Sequence, residues 1–363
     1  MSLLLRALGL RPGYPRRVKT ASMSGQPIID NKSSRGGVLM SHRNIAGRIT
    51  LSVTLALGIA TAATAAYPEK PVRFIVPFST GGGTDLQGRL LADKLRAGLG
   101  QNFLVENRTG NGGLIGAEAV TKAAPDGYTV LMTSASISLN AVMQKKSIRF
   151  DLLKDLDPVT WVSNTALVLA VHPSVPARSV KELVALSLRA PSGLNIAANG
   201  VGTTSHLSAE MFKQFTKAKS VIIQYKGGGP SGLGLATGEA DMLFNTPPAL
   251  MPHINAKRVR ALAVSTEKPT AWNPALPTMN TFYPGFVTDQ WYAVFVPAGT
   301  PKNVVTTLNA QVKKALDAKE VREFYRQQAL DPMGSSPEEL TKLIKGEIAK
   351  YTDIVQKAGI KTR

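Results

Sequence analysis

The stretch Val72–Leu95, VRFIVPFSTGGGTDLQGRLLADKL, decides the fold. Val72 to Phe78 is apolar except for Arg73, the composition of a buried strand. Three glycines follow, Gly81 to Gly83, and then Leu86, Leu90, Leu91 and Leu95 recur at helical spacing. A strand passing through a glycine turn into a helix is the repeating unit of a parallel α/β sheet. In such sheets ligands gather beyond the carboxyl ends of strands, where helix N-termini present unpaired amides to an anion.

The same alternation continues outward. TVLMTS, TALVLAVHP, LNIAANG, SVIIQYKG, ADMLFN and VRALAVST read as strands, with helical patterns between them. The C-terminal part turns helical. Thr300 is expected to cap one helix with Pro301 in its first position, and Ser336, Pro337 and Glu339 form a capping box for the last. The expected class is α/β, with mostly parallel sheets flanked by helices, and the length suits two domains.

The N-terminus carries an export pattern. Arg43 and Arg48 precede an apolar run from Ile49 to Ala60, and Ala63, Thr64 and Ala65 supply the small residues of a cleavage site. Residues 40–66 therefore read as a signal peptide, and residues 1–39 as a mis-called extension upstream of a true start at Met40. Residues 1–66 hold nine Lys and Arg and one Asp. The remainder has 43 − 9 = 34 basic and 24 − 1 = 23 acidic residues, net +11. These charges are scattered along helices without an Arg-rich block, which argues against nucleic acid as the partner. There is no cysteine, so disulfides, thiol catalysis and cysteine metal sites are excluded. His42, His172, His206 and His253 have no metal-ligand spacing, and no cofactor is expected.

Four glycine loops can be compared as binding elements. STGGGTD, Ser79 to Asp85, lacks the Lys-Ser/Thr of a nucleoside triphosphate loop. Thr84 is expected to cap the following helix with Gln87 completing a box, and Asp85 to hold the loop's own amides or to face ligand. GNGGLIG, Gly110 to Gly116, reads as a tight turn into a helix, because no acidic residue follows at dinucleotide-binding distance. NGVGTTSH, Asn199 to His206, sets Thr203, Thr204 and Ser205 beside fresh helix amides, with His206 as a packing residue. YKGGGPSG, Tyr225 to Gly232, precedes a strand ending at Asn245, and Ser134 to Ser136 closes another strand in an equivalent position. Hydroxyls and amides without a nucleophile suit binding, not turnover.

The ordered series PFSTGGGTD, LGQNFLVENRTGNGGLIGAEAV, PDGYTVLM, GVGTTSHLSAEMF, YKGGGP, RALAVSTEKP, VPAGTP and LNAQVKKAL resembles the substrate-binding proteins of tripartite tricarboxylate transporters, the Bug receptors. It spans about Tyr67 to Lys361. The resemblance implies a two-lobed periplasmic receptor closing on a small organic carboxylate, with residues 67–167 plus 291–363 as one lobe and 168–290 as the other. It also implies a monomer that delivers ligand to the large and small membrane subunits of the transporter. A sensor feeding a membrane kinase is the alternative, with an enzyme acting on a carboxylate behind it.

By this likeness, Phe78 to Asp85 and Gly200 to His206 pinch the carboxylate. The candidate binding residues are Phe78, Ser79, Thr80, Gly82, Gly83, Thr84 and Asp85 on the first loop, and Asn199, Gly202, Thr203, Thr204, Ser205 and His206 on the second. Ser134, Ser136, Asn140 and Asn245 complete the set. The sequence departs from the family at Thr80, where Pro is usual, at Ala141, where Pro usually follows Asn140, and at Gly234, where Asp is common. Gly232 and Gly234 are expected to weaken their helix by roughly 1 kcal/mol each relative to Ala.

Overall fold

The computed structural model describes residues 67–362. The expected extension and signal peptide, residues 1–66, lie outside them. β1 (Val72–Val76) leads into α1 (Gly83–Leu99), and β2 (Phe103–Asn107) into α2 (Leu114–Thr121). β3 (Thr129–Ser134) is followed by α3 (Ser136–Met143), and β4 (Leu156–Ala166) runs on to β5 (Val168–Val171). Then come α4 (Val180–Arg189), β6 (Asn195–Ala198), α5 (Thr204–Thr216), β7 (Val221–Gln224) and α6 (Gly228–Ala236). β8 (Met242–Asn245), α7 (Pro247–Asn255), β9 (Arg260–Val264) and α8 (Met279–Phe282) follow. β10 (Asp289–Pro297), α9 (Lys302–Asp317), α10 (Lys319–Gln327), β11 (Asp331–Pro332) and α11 (Pro337–Lys357) complete the order.

The strands form two sheets, β11-β4-β10-β3-β1-β2 and β7-β6-β8-β5-β9, one per lobe. The α/β class is as expected, but the sheets are mixed instead of mostly parallel. β1 pairs in parallel with β2 and β3, and β6 with β7 and β8. β10 lies antiparallel to β3 and β4, and β5 antiparallel to β8 and β9. β5 and β10 are the strands at the two passages between lobes, where the chain enters a sheet from its neighbour and not through a crossover helix, and the two-residue β11 adds antiparallel to β4 at the sheet edge. The passages lie side by side. Ser265 bonds Leu167 through its amide (2.8 Å) and accepts from the Leu167 amide through its hydroxyl (3.1 Å), while the same hydroxyl donates to the Thr288 carbonyl (2.6 Å).

Each sheet is covered on both faces, which is why β3, β5 and β8 are buried along their whole length. In the first, Phe74, Val76, Val130 and Met132 face α1 and α9, while Ile75, Leu131, Trp291 and Phe295 face Leu340 and Ile344 of α11. In the second, Leu169, Ile196, Met242 and Phe244 pack with Leu207 and Phe212 of α5, and Val168, Ala170, Ala197 and Leu243 with Leu235 and Leu250. The whole of α11 was expected in lobe 1. Its last turns instead bring Tyr351 and Val355, with Ile360 beyond, into the second lobe's core.

The Ser336 capping box is present, with Ser336 accepting from the Glu339 amide and Glu339 from the Ser336 amide. The other expected caps differ. Pro301, not Thr300, is the N-cap of α9, and the Thr300 hydroxyl donates to the Pro297 carbonyl at 2.7 Å. Gly82, not Thr84, is the N-cap of α1. The α1 helix starts before the threonine because Gly83 takes helical geometry with no side chain to obstruct it.

Gly232 and Gly234 are not helix-weakening departures. A β-carbon on Gly234 would overlap the Tyr225 hydroxyl, and one on Gly232 would stand 2.9 Å from the Ala249 carbonyl oxygen. Close packing against β7 and α7 outweighs the small gain in helix propensity. No described helix is long and apolar enough to cross a membrane.

Candidate functional site

The carboxyl ends of β1, β3, β6 and β8 meet between the lobes, and each passes directly into a loop and helix. Five helices begin at one small cavity. Its lining includes Gly82, Gly83 and Thr84 of α1, Ser136 of α3, Thr203 and Thr204 of α5, Gly228 of α6 and the α7 N-cap Thr246. Phe78, Ser134, Asn199, Asn245, Gln290 and Tyr292 complete it. None of these lining side chains carries a formal charge. Helix dipoles and unpaired amides supply a positive potential without a cation, each helix start contributing about 0.3–1 kcal/mol toward an anion and up to ~2 kcal/mol when buried.

The first wall is held by residues behind it. The Asp85 carboxylate accepts from the Gly81 amide (3.1 Å), from Asn107 Nδ2 (2.9 Å) and from Arg89 (3.0 Å), and is buried. Asn107 also donates to the Phe78 carbonyl at 2.8 Å. Asp85 thus ties both ends of the glycine loop and does not line the cavity. The three glycines have separate reasons. Gly81 sits at φ +78°, a conformation that favours glycine, and Gly83 passes so close to the Tyr292 hydroxyl that a β-carbon would overlap it. Gly82 is extended, and a β-carbon there would have ordinary contacts of 3.5 Å or more.

The second wall is a polar network. Asn245 Nδ2 donates to the Gly228 carbonyl (2.9 Å), and its Oδ1 accepts from Asn199 Nδ2 (2.9 Å) and the Thr246 amide (2.9 Å). Ser231 donates to Asn199 Oδ1 at 2.5 Å. Both asparagines are therefore fixed in orientation beside the helix starts. Thr203 caps α5 by accepting from the His206 amide (3.2 Å), and its hydroxyl donates to the Gly200 carbonyl (2.7 Å).

Of the sequence-derived candidates, the structure brings Phe78, Gly82, Gly83, Thr84, Ser134, Ser136, Asn199, Thr203, Thr204 and Asn245 to the cavity. Seven lie elsewhere. Ser79 and Thr80 lie outside the cavity, where the Ser79 amide donates to the Lys226 carbonyl at 3.3 Å, its hydroxyl is buried against Gly227, and Thr80 packs its carbonyl against Gly229. Ser205 is fully buried and accepts from the Asn199 amide at 3.3 Å. His206 Nδ1 accepts from the Gly202 amide at 3.3 Å, closing its own loop. Asn140 donates to the Gly112 carbonyl (2.9 Å) and accepts from Gln144 (2.6 Å), which also reaches the Val201 carbonyl (3.2 Å). Gly202, at φ +78°, gives these two side chains room. Asn140 and Gln144 therefore join the Gly112 turn to the second lobe's loop and do not face the cavity.

Gly228, Thr246, Gln290 and Tyr292 were missed. Gly228 lay in a glycine loop read from the sequence, but Gln290 and Tyr292 sit inside a strand, where nothing in the local pattern marks them. Burial pushes the Tyr292 phenol up to about 12, opposed by the neighbouring Thr246 and Gln290 side chains. The cavity volume is only ≈ 30 Å³, room for very few water-sized groups. The lobes meet over it through Ser79–Lys226, Gln144–Val201 and a Thr204 hydroxyl bond to Gln290 Oε1 of 2.8 Å.

Residues 88–360 match the model of a family described as the tripartite tricarboxylate transporter family receptor. Protein BugT of Bordetella pertussis is 36% identical over 321 residues, 86% of this chain and 98% of that protein. A solved protein of R. palustris with adipate is 33% identical, with a TM-score of 0.77, covering 81% of this chain and 98% of the other. The periplasmic binding protein BugD is 30% identical, with a TM-score of 0.79, covering 82% and 100%.

Proposed function

The chain belongs to the tripartite tricarboxylate transporter family of receptors, and from that premise we propose that it is a periplasmic receptor for a small carboxylate. It captures the acid between its lobes and hands it to the membrane subunits of a tripartite tricarboxylate permease. As a member of a receptor family it is not an enzyme.

The observation that carries this reading is the convergence of five helix starts on a cavity whose lining has no charged side chain. Such a site favours an anion but holds it through hydrogen bonds that can be undone on opening. Bonds to a charged group are each worth about 1.5–3 kcal/mol. Three or four of them span the ~8 kcal/mol of micromolar binding. The cavity is enclosed by both lobes, so entry and release require the lobes to part at the passages around Leu167 and Ser265. Adipate in the R. palustris relative supports a carboxylate as ligand class.

Within the cavity, the Thr84 and Ser136 hydroxyls, with the amides at the starts of α1 and α5, are the proposed carboxylate donors, while the Thr203 and Thr204 hydroxyls donate to Gly200 and Gln290 and shape the wall. Titration calorimetry of the purified protein, stripped of co-purified ligand by unfolding and refolding, tests the reading. Submicromolar to micromolar binding of an aliphatic or aromatic acid, recovered chemically unchanged, is the expected result. A folded protein that binds no acid in the panel would overturn it.

A further inference from the structure

The chain passes between the lobes twice at strands, from β4 to β5 and from β9 to β10, and a third time as a helix. α11 runs unbroken for 21 residues, with Leu340 and Ile344 in the first lobe's core and Tyr351 and Val355 in the second's. The three crossings meet. Asp289, the first residue of β10, stands opposite Ala166, the last of β4. Lys350, where α11 changes lobes, donates to Asp289 Oδ2 at 2.7 Å and to Oε1 of the buried Glu347 at 3.4 Å. α11 is thus tied to the strand passages at its own crossing point, and a rotation of the lobes about the passages leaves that anchor in place. The helix on either side must still follow both lobes. A rigid α11 would pull Tyr351, Val355 and the following Ile360 out of the second core on opening, exposing three large apolar side chains to water. Gly346 lies one turn before Lys350. It is exposed, and a β-carbon there would meet nothing within 4 Å. Glycine inside a helix is unfavourable relative to alanine, and here, unlike at Gly232 and Gly234, no neighbour occupies the space of a side chain. What it supplies is backbone freedom, which lowers the cost of a bend.

We propose that α11 is a bending strap: as the lobes part it bends at Gly346, its first half staying on the first lobe and its tail on the second, with the Lys350–Asp289 ion pair as the pivot. The unbroken helix belongs to the closed form, in which Thr204 reaches Gln290 across the lobes. The bent helix belongs to the open form. The lobes can then separate without uncovering either core, and the bending cost at one residue sets the balance between open and closed protein. The inference goes beyond the receptor reading. It requires that the lobes part, whatever solute the cavity holds.

The test is distance measurement by double electron–electron resonance on the ligand-stripped protein, with no solute added. The chain has no cysteine, so pairs of introduced cysteines can carry the spin labels. Leu104→Cys marks the first lobe, Leu188→Cys the second and Gln356→Cys the tail of α11, all at exposed positions. The pair 104–188 is expected to show two distances, one for each form. The pair 188–356 should show one narrow distance, because the tail stays with the second lobe. Gly346→Ala stiffens the strap and should lower the open population at least twofold. Ala349→Gly, exposed and beside the anchor, should raise it at least twofold. Lys342→Gly, equally exposed but within the half that stays on the first lobe, weakens the helix to the same degree and should leave the populations unchanged. A split 188–356 distance, a single 104–188 distance, or equal shifts from Lys342→Gly and Ala349→Gly would each overturn the strap. The receptor reading would survive any of these, since it stands or falls by calorimetry with carboxylic acids.

Discussion

The Thr204 hydroxyl donates to Gln290 Oε1 at 2.8 Å, joining the first turn of α5 in the second lobe to β10 in the first. Both side chains are buried, so this bond forms only when the lobes are together. Thr204→Val keeps the shape and removes the donor. It leaves a buried carbonyl unsatisfied, at a cost of about 1–3 kcal/mol to the closed form. The expected outcome is at least fivefold weaker ligand binding by calorimetry. Unchanged affinity would show that this bond does not couple closure to binding.

Two neighbouring glycines should respond in opposite ways. Gly83→Ala places a β-carbon on the Tyr292 hydroxyl, and overpacking of this kind costs about 1–3 kcal/mol. Gly82→Ala meets only ordinary contacts, and its φ of −86° suits any residue. The expected result is a tenfold or greater loss of affinity for the first and a stability change under about 1 kcal/mol for the second. Equal effects in calorimetry and chemical denaturation would refute the assignment.

Asp85 acts on the loop, not on the ligand. Asp85→Ala removes the acceptor shared by Gly81, Asn107 and Arg89, and should cost about 1–3 kcal/mol in urea denaturation. Affinity should fall with it. Amide hydrogen exchange over residues 79–84 is expected to rise. Weaker binding with unaltered exchange would point instead to direct ligand contact.

Helix propensity predicts that Gly234→Ala stabilises α6 by up to about 1 kcal/mol. The Tyr225 hydroxyl, which donates to Glu239 at 3.2 Å, occupies the space that β-carbon needs. Net destabilisation of about 1 kcal/mol or more is therefore expected. A raised melting temperature would show that Tyr225 moves aside freely.

Alkaline pH should unfold the protein through its buried phenols. Burial holds Tyr292 at about 12 and also pushes Tyr325 and Tyr351 well above the ordinary phenol range. In the unfolded chain these groups ionise near 10. A raised folded value means the stabilisation is complete below about pH 10 and is lost as pH climbs through the folded values. Stability should thus be flat with respect to these groups from pH 6 to 9 and fall above 10. Denaturation midpoints and ultraviolet phenolate titration check both halves of the curve.

How much of this was legible in the sequence differs between the fold and the site. The strand-to-helix units around Gly81–Gly83, Asn199–Thr204 and Tyr225–Gly232 could be read locally, because turn chemistry, apolar runs and helical spacing all act over a few residues. The Ser336 capping box was legible for the same reason. The starts of α1 and α9 were misplaced by one or two residues, since a glycine or proline can take the cap position without any side-chain bond.

Local sequence was enough for the alternation of strands and helices, the glycine loops at strand ends and the series of motifs that places the chain in its family. Tertiary structure alone decided which hydroxyls face the cavity and which, like Ser205 and Asn140, are used up in holding loops together. It also decided that β10, which the sequence pattern did not single out as a strand, contributes Gln290 and Tyr292 to the cavity lining. The reason is one of range. Secondary structure follows from neighbours in the chain, whereas a cavity between two lobes is set by contacts such as Thr204 to Gln290, 86 residues apart.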